Sequence, residues 1–181
     1  MDENLKNLFG TLDELLSSTN LDDVTADGVG YKELPDGYYL SELTKAELTE
    51  SKSSHQPMIA IQFTTVENGL GVNLREDESS EFVEISKTKN QRISMYYVLK
   101  DEASVKRFVT DMLKFEGDVE GEPLLTKDYF LTSELLEDAL DVLTGSRIYV
   151  QISTTVRDDD TTSTWRNLIS WKRAKALDLP L

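Results

Sequence analysis

Apolar and polar residues alternate with period two over residues 38–48. Tyr38, Leu40, Glu42, Thr44, Ala46 and Leu48 share one parity; Tyr39, Ser41, Leu43, Lys45 and Glu47 share the other. The first row is mostly apolar and the second mostly polar, which predicts a half-buried strand with the first row toward the core. Leu34-Pro35-Asp36-Gly37 precedes it as a turn, with proline setting φ and glycine tolerating positive φ. The polar loop Ser51-Lys52-Ser53-Ser54-His55-Gln56-Pro57 follows. A second strand begins at Met58 and places Ile59, Ile61 and Phe63 on one face. Together, residues 34–66 predict a long curled hairpin on which the other elements are laid.

The same alternation recurs three times. In residues 84–99, Ile93, Met95 and Tyr97 face one way and Arg92, Ser94, Tyr96 and Val98 the other, with Lys87-Thr88-Lys89-Asn90-Gln91 as a bend or bulge within one long strand. Residues 147–156 place Ile148, Val150, Ile152, Thr154 and Val156 on one parity, and residues 164–171 do so for Trp165, Asn167, Ile169 and Trp171. Elsewhere the period is helical. Leu5, Leu8, Phe9, Leu12, Leu15 and Leu16 form one stripe over residues 2–18, interrupted by Gly10. Asp101 reads as an N-cap before a stripe of Val105, Phe108, Val109, Met112 and Leu113 that ends at Gly117. Leu135, Leu136, Ala139, Leu140 and Leu143 mark a further helix over residues 133–143, with Gly145 at its C′ position.

These elements divide the chain into an N-terminal amphipathic helix (1–18), an acidic linker (19–33), a main domain (34–176) and a C-terminal tip (177–181). Residues 68–80, with Gly69 and Gly71, read as an irregular acidic stretch. The order is three strands, two helices, two strands. It predicts a mainly β fold with helices: a five-stranded antiparallel barrel of the oligonucleotide/oligosaccharide-binding (OB) type, helices between its third and fourth strands, plus the extra N-terminal helix.

Charge complicates this picture. The 181 residues carry 34 Asp and Glu against 19 Lys and Arg, a formal net charge of −15, which by itself argues against nucleic acid as a partner. Its distribution is uneven. Residues 1–36 hold nine acids and two bases, residues 64–84 six and one, and residues 119–145 seven and one. Residues 85–100, by contrast, hold Lys87, Lys89, Arg92 and Lys100 and no acid, and Arg166, Lys172, Arg173 and Lys175 cluster near the C-terminus. The strands thus carry the bases and the connections carry the acids.

Cysteine is absent, which excludes disulfides, thiolate metal sites and a cysteine nucleophile. No apolar run approaches the ~20 residues of a membrane span, and the acidic start argues against a signal peptide, so a cytoplasmic location within a host cell is expected. No catalytic set emerges. His55 is the sole histidine, in a polar loop, and Asp158-Asp159-Asp160, which could hold magnesium in a nuclease, reads as a solvated hairpin turn. No phosphate-binding glycine loop or zinc spacing is present. Neither an enzyme nor a cofactor or metal is expected.

The run Leu34-Pro35-Asp36-Gly37-Tyr38-Tyr39, then Ala46-Glu47, then Ser51-Lys52-Ser53-Ser54-His55-Gln56-Pro57-Met58-Ile59 resembles the OB-fold single-stranded DNA-binding proteins of phage replication and recombination modules. Those proteins carry a proline-glycine-tyrosine opening, a strand, a Lys-Ser-Gly-like turn, Pro-Met and a second strand. The likeness spans residues 34–172. It departs at Ser53-Ser54-His55, where a glycine is usual, and in the added N-terminal helix. The long acidic tail is missing, although Asp178-Leu179-Pro180-Leu181 resembles the acidic-then-apolar tip of bacterial relatives.

The resemblance implies stacking and charge: aromatics under exposed bases, and lysine or arginine on phosphates. Candidate contacts are Tyr39, Lys45, Lys52, Lys87, Lys89, Arg92, Tyr96, Arg147, Tyr149, Arg166, Trp171 and Lys172. Trp165 stands beside Arg166, with core packing as the competing role for one of the two tryptophans. Single-stranded DNA, bound without strong sequence preference, is the expected partner, with phage replication or recombination proteins and a second copy of the chain as further partners. Leu5, Leu8, Leu12 and Leu15 are the candidate contacts for such docking. A second class of function fits the acidity: a phage counter-defence protein that imitates nucleic acid and inhibits a host nuclease such as a CRISPR effector.

Overall fold

The computed structural model describes residues 3–18, 21, 24–26, 28–29, 33–74, 80–117 and 122–181. In chain order the elements are helix α1 (Glu3–Ser18), strands β1 (Val24–Thr25), β2 (Gly28–Val29), β3 (Gly37–Glu50), β4 (Pro57–Thr65), β5 (Gly69–Leu74), β6 (Ser80–Ile85) and β7 (Arg92–Val98), helix α2 (Glu102–Met112), a short 3-10 turn (Lys127–Phe130), helix α3 (Ser133–Leu143), strands β8 (Arg147–Val156) and β9 (Thr162–Ile169), and helix α4 (Trp171–Ala176). β1 and β2 pair only with each other, within the expected linker, most of whose other residues lie outside the described ones.

β3 is the hub. Its first half pairs with β8, its second half with β4, and Tyr38 also meets Leu70 of β5. β4 continues to β7, β8 to β9, and β5 to β6, every pairing antiparallel. The result is a seven-stranded open sheet with β6, β7 and β9 at its edges. The expected closed five-stranded barrel is therefore corrected on two counts. The sheet has two further strands, β5 and β6, and it does not close. α2 and α3 fall between the fifth and sixth of the sheet's strands in chain order.

The hub strand changes face midway. The ladder to β4 shifts register between Leu43 and Lys45, a β-bulge at Thr44. Before it the side chains that reach the core are Tyr39, Ser41 and Leu43, all buried; after it they are Ala46 and Leu48. One extra residue thus inverts the parity, so the row read as polar and outward is the core row over the first half of β3. Tyr39 is 0% exposed, and its hydroxyl donates to the Pro35 carbonyl at 2.6 Å. Burial, together with the nearby Asp36, pushes its phenol far above the usual value.

In the stretch expected to be irregular, β5 and β6 pair antiparallel, Gly69 opposite Ile85 through Leu74 opposite Ser80. Gly69 is required by packing, because a Cβ there would overlap the Tyr39 ring. Residues 84–99, expected as one long strand, belong to two strands with different partners. A turn over residues 86–91 separates them, with Lys87 and Asn90 each at φ 59°. Buried Thr88 pins that turn: its Oγ1 donates to the Ile85 carbonyl at 2.7 Å and accepts from Gly69 N–H at 2.8 Å. Thr65 Oγ1 donates to the Thr88 carbonyl at 2.6 Å.

The main core lies on the Tyr39 side of the sheet. Phe63, Ile93, Ile148 and Val150 meet Phe108 and Met112 of α2 and Leu136, Leu140 and Leu143 of α3. Both helices start as the sequence predicts. Asp101 caps α2 in a reciprocal capping box with Ser104, and Gly145 follows α3 with φ 91°. A second, smaller cluster on the opposite face joins Tyr149, Ile169, Ala174 and Leu179 with Tyr38, Leu70, Phe82 and Trp171. It exists because the last strand stops at Ile169 and Ser170 caps α4, which carries the chain end back over β8.

Truncating Tyr39 to alanine should cost about 3–5 kcal/mol of stability, as for other buried aromatics. Gly69→Ala should be comparably damaging, whereas Tyr96→Ala should stay within about 0.5 kcal/mol. Urea unfolding of the three variants checks this order; a near-neutral Tyr39→Ala would refute the inverted face.

Candidate nucleic-acid interface

β7 and β9 face each other across the unclosed side of the sheet. The cleft between them, of about 620 Å³, is lined by Arg92, Ser94, Met95, Tyr96 and Tyr97 from β7, Arg107 from α2, and Thr164, Trp165 and Arg166 from β9. Three arginines and no acid line it, in a chain with a net charge of −15. Two of its aromatics are open to solvent, Tyr96 at 64% and Trp165 at 47% exposed.

Local structure holds each of these groups. On β7, Ile93, Met95 and Tyr97 are buried, which turns Arg92, Ser94 and Tyr96 outward. Tyr97 is the inner anchor. Its hydroxyl donates to Asp111 Oδ2 at 2.8 Å, Lys114 Nζ donates to Asp111 Oδ1 at 2.7 Å, and its ring meets Phe108 edge-on at 5.2 Å. These contacts fasten α2 to β7 and so bring Arg107 to the cleft. Burial, then the Asp111 charge, pushes the Tyr97 phenol far up from its ordinary value of 10.0. On β9 the Trp165 Nε1–H donates to Thr155 Oγ1 at 3.1 Å, which fixes the indole against β8. Arg166 lies on the face of Leu168, is mostly covered, and pairs through Nη2 with Glu33 at 2.8 Å.

A second concavity, of about 600 Å³, adjoins the first and shares Ser94 and Tyr96 with it. It spreads over the outer face of β4 and the far half of β3 to Lys52 and Ser53 of the loop after β3. Cross-strand register sets its rows: Lys45 opposite Gln62 opposite Ser94, then Glu47 opposite Ala60 opposite Tyr96.

The sequence candidates therefore sort into three groups. Arg92, Tyr96 and Arg166 meet in the cleft, and Lys45 and Lys52 line the adjoining concavity with Tyr96. Among the described residues, neither hollow is lined by Lys87, Lys89, Arg147 or Lys172. Lys87 and Lys89 occupy the pinned turn before β7, Lys89 borders a separate groove with Tyr38 and Tyr149, Arg147 stands opposite Glu42 on β8, and Lys172 is exposed on α4.

Three aromatic assignments are corrected. Tyr39 is core, for the reason given by the bulge. Tyr149 does point away from the main core, but α4 and the chain end cover it; it is 2% exposed and its hydroxyl donates to the Pro180 carbonyl at 2.6 Å. Trp171 is on α4, not on a strand, and packs edge-on against Tyr149 at 6.0 Å. Sequence reasoning missed Arg107, whose only signal was its place on the polar side of the α2 stripe. It left Trp165 undecided between core and ligand, and the structure places it in the open.

Other candidate chemistry is local. His55 pairs with Glu50 at 2.6 Å on the surface. Asp159 accepts from the Thr161 amide and hydroxyl, which holds its carboxyl below the usual range. Among the described residues no group of three or more acids or histidines could hold a metal ion, and no helix is long and apolar enough to cross a membrane. On α1, Phe9, Leu12 and Leu16 are exposed, while the side chains of Leu5, Leu8 and Leu15 lie outside the described residues. No family model matches the chain, and the curated proteins contain no match to it.

The raised tyrosines give a pH dependence. Unfolding releases each phenol to titrate near pH 10 while the folded state still holds its proton. Their contribution is fully present below pH 10 and is lost as pH rises above it. Urea midpoints at pH 8 and pH 11 should therefore fall less for Tyr97→Phe than for the parent chain. Leu179→Ala should cost about 2–4 kcal/mol by the same assay, since Leu179 is buried over Tyr149.

Proposed function

We propose that this protein binds single-stranded nucleic acid, DNA in the first instance, in the cleft between β7 and β9 and across the outer face of β4. The observation that carries the reading is the gathering of Arg92 and Arg107, with Arg166 held by Glu33 beside them, around exposed Tyr96 and Trp165 in one groove of an otherwise acidic chain. An exposed ring offers a stacking platform to any base, and a guanidinium beside it meets the phosphate. Exposed rings favour single strands, whose base faces are free to stack, over a duplex, whose bases are already stacked inside.

The same reading relates the chain to the OB-fold phage proteins its opening residues resemble. The pairings β3–β4, β4–β7, β3–β8 and β8–β9 support an OB-type order opened at the cleft, with the β5–β6 hairpin as an insertion. On this view the protein works in phage replication or recombination inside the host cytoplasm, without catalysis or a cofactor. The exposed Phe9, Leu12 and Leu16 of α1 support docking to a second copy of the chain.

Fluorescence anisotropy with a labelled single strand tests the binding. Affinity should fall with salt, with a log–log slope of about −1.4 for phosphate contacts from Arg92 and Arg107. Tyr96→Ala should weaken binding roughly 5- to 150-fold, the range expected for loss of one stacked base, and Arg92→Ala should reduce the salt slope. Absence of binding at low salt would reject the reading and favour the acidic counter-defence alternative.

A separate measurement addresses α1. Light scattering of residues 19–181 should give a lower mass than the full chain while the circular dichroism of the sheet is kept. Unfolding of the shortened chain would instead make α1 part of the domain core.

A further inference from the structure

The concavity beside the cleft differs from it in chemistry. The cleft is lined by arginines alone among charged residues, whereas the concavity balances Lys45 and Lys52 with Glu47 and Glu50. A phosphate gains nothing from entering a space that two carboxylates border. A neutral base, which brings hydrogen-bond donors, does.

The side-chain sizes agree with this. Glu47, Ala60 and Tyr96 lie in one cross-strand row. β3 and β7 are two strand spacings apart, about 10 Å, and only the Ala60 methyl stands between the carboxylate and the phenol. The next row is Lys45, Gln62 and Ser94, so the short Ser94 keeps the floor low beside Tyr96 while Gln62 stands at its border. The space left beside the exposed Tyr96 ring suits one planar heterocycle. Around it, Glu47 can only accept hydrogen bonds, while Gln62 can accept and donate. Glu47 is about half exposed and its ion pair with Lys45 is long at 3.4 Å, so that contact does not hold it firmly.

We propose that Glu47 and Gln62 make this concavity selective for bases that carry an exocyclic amino group, cytosine before thymine. Glu47 accepts from the amino N–H, and Gln62 matches the neighbouring ring positions of a base stacked on Tyr96. Thymine, with a carbonyl where cytosine has its amino group, sets an acceptor against the carboxylate. This rests on the single-strand reading above and adds to it a preference that stacking and charge alone do not supply.

The test compares labelled 12-nucleotide homopolymers of dC and dT, which differ at that position and form little structure of their own. Affinities are measured with the parent chain, Glu47→Val and Gln62→Val, each checked for folding by circular dichroism. The parent should prefer dC by roughly tenfold, the scale of one good base contact. Glu47→Val should bring the ratio close to one through loss of dC affinity, and Gln62→Val should lower the ratio in part. Equal, salt-dependent affinity of the parent for both strands would overturn the selectivity and leave the binding reading intact. A dC preference that survives Glu47→Val would overturn the assignment to Glu47. Failure of both strands to bind at low salt would overturn the binding reading and the selectivity with it.

Discussion

The bulge at Thr44 is the constraint on which the rest of the structure depends. β3 serves the core with Tyr39, Ser41 and Leu43 before the bulge and with the opposite parity, Ala46 and Leu48, after it, while pairing with β8 over residues 37–42 and with β4 over residues 41–50. Strands with a single continuous parity would present one face along their whole length. The extra residue lets Tyr39 and Leu43 fill the main core while Tyr38 and Leu40, on the other side, found the second cluster under α4 and the chain end. The same irregularity twists the sheet away from flatness, so that β7 and β9, at opposite ends of the pairing path, come to border one cleft. Gly69 follows from this too, since the buried Tyr39 ring occupies the volume its side chain would need.

The cleft is then a consequence of non-closure. Two strand edges that do not pair leave room, and the residues flanking them decide what fills it. In this acidic chain Arg92, Arg107 and Arg166 meet at that place, Arg166 in an ion pair with Glu33. Tyr97, through Asp111, is the hidden support: it holds α2 in place and thus sets where Arg107 reaches.

Much of this was legible in the sequence. Period-two alternation located β4, β7, β8 and β9 because each keeps one parity throughout, and caps and apolar stripes located α2 and α3. Arg92 and Tyr96 were found because β7 is regular. The misses share a cause. Tyr39 was assigned to the wrong face because a bulge leaves no composition signal, so the parity of Ala46 and Leu48 was carried back across it to the first half of β3. The β5–β6 hairpin was read as irregular because glycine marks both loose chain and close packing, and only the position of the Tyr39 ring distinguishes them. Tyr149 and Trp171 were misjudged for a different reason: parity predicts which way a side chain points, not whether a later helix covers it. Arg107 could not be associated with β9 by any local pattern, since that neighbourhood exists only in the folded sheet.

The proposed binding mode lays a single strand in the cleft against Trp165. The most direct measurement is tryptophan emission in the Trp171→Phe chain, where Trp165 is the sole tryptophan left, during titration with an unlabelled oligonucleotide. Saturable quenching that reverses on addition of salt is the result this account predicts, because a base stacked on the indole quenches it and phosphate contacts hold the base there. Binding detected by anisotropy with unchanged Trp165 emission would place the strand elsewhere on the molecule and contradict the account.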